Sequence, residues 1–172
     1  MRFTTLLIFV AISACASSAP LLPALPGWTT TLSASHDLSG KIWSVHDRRY
    51  VTPQRIAAAT ARSYYIFLGE NHDNPDHHSL QAWVLRAMIR HDRKPAIVFE
   101  MIEETRQAAL DAYQKDNPTA AGLGAAVEWE KTGWPDWSTY QPIADAALSS
   151  GLAIFAGNPA KHGKLLTKDR RE

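Results

Sequence analysis

The sequence predicts an α/β fold, a parallel sheet flanked by helices with a small helical lid insertion. Three observations predict it. Short, nearly continuous apolar runs lie at residues 64–68, 96–99 and 152–156, each bounded by Gly, Pro or charged residues. Helical patterns separate the runs, and strands apolar on both faces belong to a parallel sheet covered on both sides. A Gly- and Trp-rich stretch at about 114–139 interrupts the alternation and reads as the lid.

The elements follow in chain order. Arg2, an apolar stretch over residues 6–12 and small residues up to Cys15 have the form of a secretory signal. Ile12-Ser13-Ala14-Cys15 reads as a lipobox, so residues 1–14 are expected to be removed and Cys15 to carry lipid. Residues 15–27, with prolines at 20, 23 and 26, read as an extended tether, and 28–172 as the domain. His36 to Gly40 reads as a turn, and residues 41–45 as a short strand. Thr52 and Pro53 are an N-cap and N1 pair opening a helix through about Arg62. After the first apolar run, Asn74-Pro75 opens a helix whose Leu80, Trp83, Val84, Ala87 and Met88 form one stripe. A further helix is expected over about 103–113, and Pro142 opens one that ends at Ser150-Gly151, where glycine suits the position after the cap. Three or four parallel strands make a small open sheet whose outer edges need cover.

Composition excludes several functions. The 172 residues carry 18 Lys plus Arg and 17 Asp plus Glu, for a net charge of +1. No basic run marks a nucleic-acid face. Without residues 1–14 the chain has 17 basic and 17 acidic side chains, so membrane attachment would rest on lipid rather than charge. No apolar run reaches the roughly 18 residues of a membrane span. The single cysteine makes neither an intramolecular disulfide nor a thiolate zinc site. Six tryptophans point to large apolar contacts or a flat ligand.

Ligands of an open parallel sheet bind at the carboxyl ends of its strands. The residues following the three runs are Gly69-Glu70-Asn71-His72-Asp73, then Glu100, then Gly157-Asn158, with His162 a few residues on. A carboxylate beside an imidazole orients it and serves as general base or ligand, which makes Glu70, His72 and Glu100 the candidate chemistry. His77 and His78, in the first turn of a helix, read as surface residues, and His36, His46 and His91 as solvated.

Residues 65–78 (Tyr-Ile-Phe-Leu-Gly-Glu-Asn-His-Asp-Asn-Pro-Asp-His-His), followed by Ala-Ile-Val-Phe-Glu-Met at 96–101, resemble the ChaN family of haem-binding lipoproteins. Trp137-Ser138-Thr139-Tyr140-Gln141-Pro142 and the run leading to Asn158-Pro159 are similar to it too, and the chain reads as C-terminally short for that family. The wider superfamily includes Tiki proteases, TraB proteins and erythromycin esterase-like enzymes. The resemblance implies haem held between two copies of a lidded parallel-sheet domain, with a tyrosine bonded to iron. Tyr140 is the first candidate for that ligand and metal contact, Tyr113 the second, and His162 the fallback. Glu70, His72 and Asn158 complete the expected cofactor site. Tyr64 and Tyr65 read as core, and Tyr50 as surface. The expected function is lipid-anchored haem binding in iron uptake or storage at the bacterial outer membrane facing the periplasm, as a homodimer when haem is bound. The alternative is a metal-dependent hydrolase using Glu70, His72 and Glu100.

Overall fold

The computed structural model describes residues 21–160; residues 1–14, Cys15, the start of the tether and His162 lie outside the described residues. A hairpin of β1 (Ile42–Ser44) and β2 (Arg49–Val51) leads into α1 (Pro53–Thr60) and α2 (Pro75–Arg90). Then come β3 (Ile97–Glu103), α3 (Gln107–Gln114), α4 (Ala120–Ala126), α5 (Gln141–Leu148) and β4 (Ile154–Asn158). The fold is mixed α/β, with one small antiparallel and one small parallel sheet flanked by helices.

Local chemistry explains the boundaries. Thr52 is extended (φ −94°) ahead of Pro53, although its side chain makes no cap bond. The Asn74 side chain accepts from Asp76 N–H at 3.0 Å and closes the start of α2. After α5, Gly151 takes φ +64° and Leu152 N–H returns to the Ala147 carbonyl at 2.9 Å, a glycine-dependent stop.

β3 and β4 pair in parallel, with Ile97 opposite Ile154 and Phe99 opposite Ala156, and the register shifts before Glu103 meets Asn158. β3 therefore continues four residues beyond the expected end of its apolar run. Glu100 lies inside the strand on its exposed face rather than in the loop after it. Asn158 is likewise the last strand residue, not the first of a loop. The other edge of β4 is occupied by α3 side chains. The Gln114 amide accepts from Ile154 N–H at 2.7 Å and donates to its carbonyl at 3.0 Å, and Gln107 accepts from Ala156 N–H at 2.8 Å. Two glutamines thus satisfy an edge that would otherwise invite another strand.

The expected first buried strand is a correction. Residues 64–68 form no strand and enter no ladder, and Tyr64, Tyr65 and Phe67 are 96%, 83% and 91% exposed. Tyr64 and Tyr65 are therefore not core. An apolar run records a need for cover, and none of the described elements lies over these three rings. Val98 and Phe155 are exposed in the same way on the β3–β4 sheet.

The stretch at 114–139 is partly helical, as expected, but its large residues belong to the main core. Leu123, Val127, Trp129 and Trp137 are buried in one cluster with Phe99, Leu110 and Ile154. Residues 21–30 lie along α2 rather than standing free. Trp83 Nε1 donates to the Pro23 carbonyl, Arg90 to the Leu21 carbonyl, and Thr29 and Thr30 both bond Asp76.

Candidate ligand site

The loop from Leu68 to Asn74 is fixed by α2 and by the turn before α5. Gln81 donates to the Leu68 carbonyl at 2.9 Å, and Asn71 N–H donates to His77 Nδ1 at 2.8 Å. The loop sends the Glu70 side chain inward, where it is 6% exposed. Glu70 Oε1 lies 2.7 Å from His72 Nδ1, and the Tyr140 hydroxyl donates to the same oxygen at 3.2 Å while lying 3.3 Å from the His72 carbonyl. Glu70 Oε2 lies 3.1 Å from His78 Nε2, at an angle that falls short of a hydrogen bond.

His78 is fully buried and packs on Tyr140 with ring centroids 4.0 Å apart. Its burial holds the imidazole below its ordinary pKa, with the Glu70 charge opposing that shift only in part. Burial, reinforced by the Glu70 charge, pushes the Tyr140 phenol well above its ordinary value. Glu70 is therefore surrounded by one imidazole held towards its neutral form, one protonated phenol and His72. His72 is the outward member, its side chain 35% exposed, and its ring meets Trp134 at 4.6 Å. With Nδ1 held by Glu70, His72 Nε2 is the nitrogen left for a ligand. A carboxylate on the far nitrogen is the support that ligating histidines use.

Trp134 also forms part of a cleft of about 360 Å³. Met101, Ile102, Val127 and Trp129 supply apolar wall, and Glu103, Arg106, Lys131 and Asn158 its polar parts. Because those four apolar residues are themselves buried, the exposed lining is mainly polar, with the Trp134 ring as its partly exposed apolar face.

The structure brings together Glu70, His72 and Tyr140, and places Asn158 in the adjoining cleft. Glu100 joins neither Glu70 nor His72 by a hydrogen bond or ion pair among the described residues. Tyr140 is fully buried against His78, Trp129 and Trp137, so its oxygen faces Glu70 rather than open space. That placement does not suit an iron ligand, because the hydroxyl is turned to Glu70 and the His72 carbonyl and the residue is closed to solvent. The Tyr113 hydroxyl is committed to Thr119 at the start of α4, donating to its carbonyl and accepting from its N–H. Sequence reasoning reached Trp134 only as one of the tryptophans of the lid, read His78 as surface, and missed Arg106 and Lys131. His78 was legible, because His78, Ala82 and Leu85 repeat at i, i+4 and i+7 on a second buried side of α2. Nothing local distinguishes the other three.

A small parallel sheet with a buried glutamate bonded to a partly exposed histidine beside Trp134 is what this mixed α/β domain presents. Residues 56–164 match the model of the family described as haem-binding uptake, Tiki superfamily, ChaN, and this chain belongs to that family. Among solved structures it is similar to that of ChaN from Campylobacter jejuni, a protein with cofacial haem binding. The TM-score is 0.63 at 21% identity, over 77% of this chain and 53% of that one. The chain thus spans about half the length of that structure. No curated protein matches the chain.

Proposed function

We propose that this protein binds haem for iron uptake or storage, at the cleft bounded by Trp134. The observation that carries this reading is the family match over residues 56–164, a span that contains both the Glu70 cluster and the cleft. The donor set fits. His72 offers an imidazole nitrogen, Glu70 fixes the other nitrogen, and the partly exposed Trp134 ring offers a flat apolar face to a macrocycle. When bound, haem supplies a Lewis-acidic iron centre. His72 is the proposed ligand to it, and Tyr140 keeps a place in the site by holding Glu70. Asn158 is a polar group at the cleft edge. In the same proposal, Cys15 carries the lipid that holds the domain at the outer membrane facing the periplasm, and haem joins two copies. Among the described residues no helix is long and apolar enough to cross a membrane.

The hydrolase alternative has less support. Its third residue, Glu100, stands apart on β3, and among the described residues no group of three or more His, Cys, Asp or Glu is arranged to hold a metal. Titration with ferric haem, followed by absorbance and sedimentation, tests the proposal. A saturable Soret shift with a rising dimer fraction is expected. An unshifted spectrum, with one equivalent of divalent metal found by elemental analysis, would favour the hydrolase.

A further inference from the structure

The cleft carries two cations that the Glu70 cluster does not use. Arg106 ends the 3-10 turn after β3, and Lys131 ends the 3-10 turn that follows α4. Both line the cleft, as does the partly exposed Trp134. Both are also held by one carboxylate: Glu128 pairs with Arg106 through one oxygen and with Lys131 Nζ at 2.7 Å through the other.

Glu128 reaches that position from an unusual backbone. Its φ of 53° and ψ of 44° lie in the left-handed region, which side chains other than Gly, Asn and Asp seldom adopt. The hydrogen bond from Lys131, followed by the Arg106 charge, holds its carboxyl below the usual range despite some burial, so it is an anion at neutral pH. The three side chains are 37–70% exposed, and ion pairs so placed are weak and readily exchanged. The cleft also contains Glu103, so two acidic and two basic groups stand in balance around it. A guanidinium and an ammonium converging on one carboxylate form a receptor for any carboxylate of matching placement.

We propose that Arg106 and Lys131 are a carboxylate anchor at the cleft, and that Glu128 holds their place until the acidic edge group of a flat apolar ligand displaces it. This rests on the haem reading above, which it deepens by assigning the ligand's propionate end to this side of the cleft. Glu128 then sets affinity through competition, although it lies in no hydrogen-bonded contact with the Glu70 cluster.

The test titrates wild type, Glu128→Gln, Arg106→Gln and Arg106→Lys with ferric haem and with its dimethyl ester, in which both carboxylates are masked. Circular dichroism confirms that each variant is folded. Glu128→Gln should bind haem about threefold more tightly, since a surface-type competitor is removed. Arg106→Gln should bind it about tenfold more weakly, the scale of a charge-assisted hydrogen bond, with partial recovery in Arg106→Lys. All four should bind the diester equally. Haem affinities that are unchanged across the variants, or that change in parallel with those for the diester, overturn the anchor and leave the haem reading intact. A wild type that binds neither form overturns both.

Discussion

Two fully buried residues, Tyr140 and His78, and the more exposed His72 surround the Glu70 carboxylate. Tyr140→Phe keeps the ring against His78 and Trp129 and removes a donor from a nearly buried anion, so it should cost about 1–3 kcal/mol in a denaturant melt. If haem is held by His72, that variant should keep the wild-type spectrum of the bound haem. His78 gives a pH signature. Its pKa is depressed by burial in the fold, so the unfolded chain binds the extra proton more readily at mildly acidic pH. The stability that depends on neutral His78 is complete above its unfolded value near 6.5 and is lost as pH falls through the folded value. Melting temperature should decline as pH falls below about 6.5, and His78→Gln should flatten that decline. An equal slope in both proteins would assign the acid response to other groups. Glu70 and His72 were legible in the sequence because they follow an apolar run, whereas the burial of Tyr140 was not. A tyrosine before Gln-Pro reads the same whether its ring faces a ligand or the core.

Elements here are held by side chains that substitute for backbone. Gln114 closes two main-chain groups of Ile154 on the free edge of β4, so Gln114→Ala should lower stability by about 1–2 kcal/mol. At the start of α2, burial alone would raise the Asp76 carboxyl, but four hydrogen bonds from Thr29 and Thr30 outweigh it and hold the group well below the usual carboxylate range. Asp76→Ala should cost about 2–3 kcal/mol and expose residues 21–30 to limited proteolysis. Protection equal to wild type would show that these residues are held by other contacts. The helices opening at Pro53, Pro75 and Gln141-Pro142 were readable because a proline in the first turn, and the Asn74 cap, act locally. The docking of residues 21–30 was not, because prolines three apart describe an extended chain and not the surface on which it lies.

Across the whole molecule, buried area divides unevenly. Trp129 and Trp137 sit inside the core cluster, while Phe67 is 91% exposed. Trp129→Ala should therefore cost about 3–5 kcal/mol, and Phe67→Ala within about 0.5 kcal/mol. Periodicity and apolar runs gave the α/β class, yet among the described residues the run at 64–68 pairs with no strand. A sequence states which residues are apolar and leaves open what comes to cover them. The same limit applies to the cleft, since Trp134, Arg106 and Lys131 meet only through the path of the chain after β3. The central claim is that haem binds where Glu70 orients His72 beside Trp134. Its most direct test compares the absorbance spectra and affinities of wild type, His72→Ala and Tyr140→Phe on titration with ferric haem. The account predicts a saturable Soret shift in wild type, the same spectrum in Tyr140→Phe, and an altered spectrum with binding weaker by about tenfold or more in His72→Ala. A His72→Ala protein that keeps the wild-type spectrum, beside a Tyr140→Phe protein that loses it, would contradict the account.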